Sequence, residues 1–154
     1  MLYGTSYGAF LAMLAAAADP AGWSRCVAVS PFVSGPRLHA DGSAPIRSLL
    51  ERLDGCAEVV DELGPRDLLL LAPRIRVPVL LAHGTRDEVI PVGHSRLLAR
   101  RLSSAGSVYR EVPDAGHSPL NERGGSALLA EMADFLLTGD PAEPGHDRPH
   151  TDPL

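Results

Sequence analysis

A chain of 154 residues suffices for one domain with a buried core and leaves no comfortable room for two. Hydrophobic residues make up 45% of it and charged residues 21%, the balance of a globular protein. A net charge of −5 and a pI near 5.6 exclude the basic surface that nucleic acid or an anionic membrane would require.

Met1-Leu2-Tyr3 reads as the end of a strand. Gly4-Thr5-Ser6-Tyr7-Gly8 follows, and then the apolar run Ala9 to Ala18. Gly-x-Ser-x-Gly between a strand and a helix is the pattern of a nucleophile elbow, and its other reading is a glycine-rich turn. In an elbow the serine sits on a strained turn that lifts Oγ clear of the sheet. Gly4 and Gly8 are then glycine because a Cβ would strike neighbouring elements. The same turn aims the Tyr7 N–H at the point where an oxyanion would form, and the helix dipole adds to the positive potential there. The helix itself, from Ser6 to about Ala18, is apolar nearly all round and so expected to be buried. It is too short for a membrane span and has no basic residue before it, so it is not a signal segment. A cytoplasmic address follows by default.

Asp19-Pro20-Ala21-Gly22 ends that helix. Arg25 to Val29 reads as a buried strand carrying Cys26. Cys26 and Cys56 form neither a disulfide framework nor a redox pair, and both read as reduced thiols. Phe32 to Asp41 lacks any period and reads as loop. Ile46 to Leu63 has apolar residues at three- and four-residue steps and predicts a helix that Gly55 could split. Gly64-Pro65 breaks it, and Asp67 to Ala72 reads as one helical turn. Val77 to His83 is a strand with Pro78 near its start, where proline is tolerated. Pro91 to Ala105 predicts an amphipathic helix, Val108 to Val112 a strand at a sheet margin, and Gly125 to Leu137 a last amphipathic helix. Residues 1–137 form the domain. From Thr138 the prolines and polar residues predict a disordered tail, 138–154. Basic residues are all arginine, 14 in number, and lie scattered among acids, which suits genomic composition better than a functional patch.

Alternating strands and helices predict a three-layer α/β/α domain on a mostly parallel sheet, with chemistry in the loops beyond the C-terminal strand ends. Ser6, Asp87 and His117 all fall there. A serine hydroxyl needs a base to take its proton, and an imidazole suits that role. The imidazole in turn needs a carboxylate to fix its tautomer. Glu88 and Asp114 are rival acids. Glu88 would point elsewhere from the same loop, and Asp114 lies too near His117 in sequence for easy reach, so Asp87 is favoured. His83 reads as a structural hydrogen-bonding residue, His94 as a helix-surface residue and His39 as a loop residue. His146 and His150 lie in the tail, where no cluster of ligands accompanies them.

Three phrases together, Gly4 to Ala12, Arg74 to Thr85 and Ala105 to Ser118, resemble the catalytic domain of the prolyl oligopeptidase (S9) family, which includes dipeptidyl and acylaminoacyl peptidases. The resemblance covers roughly residues 1–137 and implies an α/β-hydrolase fold with Ser6 as nucleophile, Asp87 as orienting acid and His117 as base. Ala9 departs from the family, which usually has glycine there. The elbow strand of such a domain normally follows several others. The chain therefore resembles the C-terminal half, with the N-terminal strands and the loop bearing a second oxyanion donor missing. A truncated gene model accounts for that best, ahead of a cloned fragment or a short protein that pairs with a partner. The bare edge of the first strand calls for cover by an N-terminal half or a second chain.

The expected activity is hydrolysis of a peptide bond through an acyl-enzyme, with no cofactor or metal. The alternatives are a small-molecule esterase of the same fold and a non-catalytic half-domain that binds a partner.

Overall fold

The computed structural model describes residues 1–53 and 66–138. The expected break at Gly55, Cys56 and the tail beyond Thr138 lie outside them. Among the described residues four strands form one sheet: β1 (Leu2–Thr5), β2 (Cys26–Val29), β3 (Val79–Gly84) and β4 (Val108–Val112). They lie side by side in sequence order, every pair parallel. Parallel neighbours need a crossover between them, and the helices supply it. These are α1 (Tyr7–Ala18) between β1 and β2, α2 (Gly35–Asp41), α3 (Ala44–Leu53) and the single turn α4 (Leu68–Leu71) between β2 and β3, and α5 (Gly93–Ala99) before β4. The last, α6 (Gly125–Thr138), follows β4.

The central strands show why both read as unbroken apolar runs. Every residue of β2 and β3 is buried, because helices cover both faces of the sheet. Side chains alternate between those faces. Cys26, Ala28, Val79 and Leu81 join the core under α1, with Phe10, Met13, Leu68 and Leu98. Val27, Val29, Leu80 and Ala82 join a second core against Leu128, Met132 and Phe135 of α6. The outer strands differ. β4 is half-buried until Val112, as its alternating sequence predicts. β1 pairs only with β2 among the described residues and leaves Tyr3 half exposed.

Two expectations are corrected, and a third is met over the described residues. Residues 32–41 are not all loop: α2 begins after Ser34, whose hydroxyl accepts the Arg37 N–H at 3.4 Å, with Pro36 in its first turn. Only Leu38 of this helix is buried, so a seven-residue helix offers no apolar period, although the cap and the proline were readable. The helix expected over Pro91–Ala105 is shorter. It ends at Ala99, and the chain turns through Ser104 and Gly106, the latter at φ 76°. The long helix from Ile46 is α3, which begins at Ala44 and is described to Leu53. No helix among the described residues is long and apolar enough to cross a membrane.

Candidate active site

Ser6 stands between β1 and α1 at φ 53°, ψ −121°, in the region that side chains other than glycine rarely occupy. Bonds on both sides enforce the turn. The Ser6 N–H donates to the Val29 carbonyl at 2.8 Å, holding the residue to β2. Its own carbonyl accepts from Ala9 and Phe10 at 3.0 and 3.2 Å, starting the helix. Gly4 makes the tight return possible, because a Cβ there would be driven into the Gly8 carbonyl. At Gly8 itself a Cβ would meet nothing within 4 Å, so the expectation that close approach demands both glycines holds only for Gly4. Tyr7 opens α1, where the first N–H groups have no acceptor within the helix. Its ring is half exposed and stands 6.2 Å from those of Phe10 and Phe32, which stack on each other at 4.3 Å.

Asp87 lies three residues past the end of β3, and its carboxylate is fully buried. Oδ1 accepts from the Val89 and Ile90 amides, both at 2.9 Å. Oδ2 accepts from His117 Nδ1 at 2.8 Å and lies 3.1 Å from His83 Nε2. Burial by itself would raise this carboxyl. The hydrogen bonds from His117, His83 and the Ile90 amide more than offset it and hold the group well below the usual carboxylate range.

His117 follows β4 in a loop clamped against the end of β3. The Arg86 N–H donates to Ala115 and the Thr85 N–H to Val112, at 2.8 and 3.0 Å, and the Asp114 N–H donates to Thr85 Oγ1 at 2.9 Å. On the far side Glu122 accepts the Gly116 N–H on both carboxylate oxygens, at 3.0 and 2.9 Å. Held in this way, His117 Nε2 comes within 3.0 Å of Ser6 Oγ. With Nδ1–H donated to the ionised Asp87, the neutral ring presents a bare Nε2 to the serine hydroxyl, the arrangement a general base requires. The ring is a quarter exposed, so a reacting group can approach it. A cavity of about 380 Å³ opens beside it, lined by Tyr3, Thr5, Ser6, Val29, His117 and Leu120 among others.

The three residues singled out in sequence thus meet within hydrogen-bonding distance although 111 positions separate Ser6 from His117. The rival acids lie apart: Asp114 is exposed and paired with Arg86 at 2.7 Å, and Glu88 is exposed. His94 is corrected, because it is buried rather than on a helix surface. Its Nδ1 accepts the Val33 N–H at 3.1 Å, and burial pushes the imidazole down to about 4. His39 lies in α2 rather than a loop. Sequence reasoning passed over Glu122, which holds the His117 loop, and the contact of His83 with Asp87. Neither has a local signal, since each depends on which loops the sheet brings together. Among the described residues no group of three or more His, Cys, Asp or Glu could hold a metal ion.

Comparison with known proteins places the fold among relatives. A monoacylglycerol lipase of Mycolicibacterium smegmatis is 26% identical over 110 residues, which are 71% of this chain and 36% of that one. In structure, a monoacylglycerol lipase of Paleococcus ferrophilus superposes with a TM-score of 0.67 at 20% identity, covering 88% of this chain and 66% of that one. The acylaminoacyl peptidase of Pyrococcus horikoshii superposes with a TM-score of 0.69 at 16% identity, covering 95% of this chain and 25% of that one. The described fold is therefore part of an α/β-hydrolase fold. The chain spans only 20% and 36% of the length of the curated relatives it matches. A sequence model of the prolyl oligopeptidase family matches residues 1–139, and the chain belongs to that family.

Proposed function

We propose that the chain carries the reacting half of a serine hydrolase that cleaves a peptide bond through an acyl-enzyme. The observation that carries this reading is the unbroken run of hydrogen bonds from Asp87 through His117 to Ser6, at 2.8 and 3.0 Å. His117 takes the Ser6 proton as Oγ attacks the carbonyl. The Tyr7 N–H, at the positive end of α1, donates to the oxyanion, and Asp87 supports the imidazolium without accepting its proton. His117 then protonates the leaving group, and water enters by the same route to free the acid.

Family membership favours a peptide substrate. The second reading is a small acyl ester, favoured by the curated relatives, which are an esterase and a lipase. The attacking chemistry is common to both, so the leaving group is what separates them. Among the described residues β1 pairs with β2 alone, and its other edge is where a further strand would add, from more of the same domain or from a second chain. A cytoplasmic site of action remains part of the proposal.

A fluorophosphonate probe tests the chemistry. Labelling of the folded chain that Ser6→Ala abolishes is the expected result, and a folded chain that takes no label would sink the reading. Acyl p-nitroanilides compared with p-nitrophenyl esters then separate the amide from the ester preference.

A further inference from the structure

We propose that His83 is a positioning residue for this reaction: its Nε2–H, kept in that tautomer by the Ser95 hydroxyl, fixes the Asp87 oxygen that receives His117. The inference rests on the serine-hydrolase reading above and assigns a task to a histidine outside the hydrogen-bonded run.

The tautomer follows from the partners. His83 Nε2 faces two acceptors, the Ile90 carbonyl at 2.9 Å and Asp87 Oδ2 at 3.1 Å. A bare ring nitrogen would repel both, so Nε2 carries the proton and shares it between them. In the neutral ring Nδ1 is then an acceptor, and the Ser95 hydroxyl donates to it at 2.7 Å. His83 and Ser95 are fully buried, so no bulk water stands ready to replace a lost bond.

The effect falls on Asp87. Its Oδ1 is held by two amides, which fix one end of the carboxylate. Its Oδ2 has two rings to serve, and the bond from His83 leaves the remaining lone pair for His117. Two consequences follow. The carboxylate cannot swing away from the imidazole when the serine gives up its proton. A second donor on Oδ2 also lowers that oxygen's basicity, so the proton stays on His117 Nδ1 as the imidazolium forms. A buried carboxylate served by His117 alone would do both less well.

Two measurements test this on the full chain. Nitrogen-15 NMR at neutral pH should show His83 with Nε2 protonated and Nδ1 bare. A proton on Nδ1 would overturn the assignment. The second measurement is the rate of fluorophosphonate labelling at Ser6, resolved into the maximal rate and the half-saturating concentration, with melting curves beside it. His83→Phe keeps the ring without the donor, and its maximal rate should fall on the order of tenfold with the half-saturating concentration unchanged. His83→Gln returns an N–H to the place of Nε2 and should recover most of the rate. Ser95→Ala, the milder change, should slow labelling by a smaller factor and serves if His83→Phe does not fold. A folded His83→Phe or Ser95→Ala that labels at the wild-type rate would overturn the proposal, as would a Gln variant no faster than the Phe one. Failure of the wild type itself to label would instead bring down the hydrolase reading on which it rests.

Discussion

Gly84, the last residue of β3, lies so close to the Gly116 carbonyl that a Cβ on it would overlap the main chain of Ala115 and Gly116. The loop that carries His117 therefore rests directly on the strand that leads to Asp87. Gly84→Ala must push that loop outward, because the obstructing atoms are backbone and cannot rotate aside. Overpacking of this kind costs about 1–3 kcal/mol. The expected result is a folded protein with a lower melting temperature and a larger loss of Ser6 labelling than the melting shift accounts for. Wild-type labelling by the alanine variant would show that the contact does not set the position of His117.

Ser6 itself is predicted to sit in a strained backbone. At φ 53° a side chain carries a cost that glycine does not. Ser6→Gly and Ser6→Ala both remove the hydroxyl, so their difference isolates the Cβ. The glycine variant should be more stable than the alanine variant by about 1 kcal/mol in urea unfolding, despite the greater freedom of glycine in the unfolded chain. Equal stabilities would mean that the turn relaxes without strain.

His94 predicts an acid-sensitive fold. Burial holds its imidazole at about 4, against about 6.5 in the unfolded chain. Between those values the unfolded state binds the proton and the folded state does not. Stability therefore falls as the pH drops from about 6.5 towards 4, by at most about 1.4 kcal/mol per pH unit from this group. His94→Asn keeps an acceptor near the Val33 N–H and removes the titration. Urea unfolding at pH 7 and pH 5 should show a smaller loss for the variant than for the wild type. Identical losses would assign the acid sensitivity to other groups.

Asp87 contributes in the same direction at lower pH. Its folded carboxyl is held below the ordinary value, so the stability it confers is present above about pH 3.9 and is lost as the pH falls through its folded value. Above pH 5 the contribution is constant, and the change measured between pH 7 and 5 reports on His94 in preference to Asp87.

Phe135 anchors α6 against the second face of the sheet and is fully buried beside Val27, Leu80 and Met132. Phe135→Ala removes most of that anchor and is expected to cost about 3–5 kcal/mol. The elbow lies at the strand ends, so a folded remnant would still label at Ser6 at low temperature. A melting temperature equal to that of the wild type would show that α6 adds little to the second core.

Much of this protein is decided by local residue chemistry. The apolar runs Cys26–Val29 of β2 and Val79–Ala82 of β3 announce strands buried on both faces, because neither face of these strands meets water. Gly4 and Ser6 announce the turn, and Pro20 and Gly22 the end of α1, since each acts through its own backbone. Ser6, Asp87 and His117 could be chosen for their chemistry and their places after strands. What no local pattern could decide is which charges meet. Sequence position favours Asp87 over Glu88 and Asp114 but does not show what each carboxylate meets. Only the fold turns the first inward onto two amides and two imidazoles and leaves the others in solvent. The burial of His94 and the support of the His117 loop by Glu122 have the same origin. Periodicity records which face of an element is apolar, whereas partnership between loops depends on how neighbouring strands register in the sheet, and that is settled by packing the whole domain.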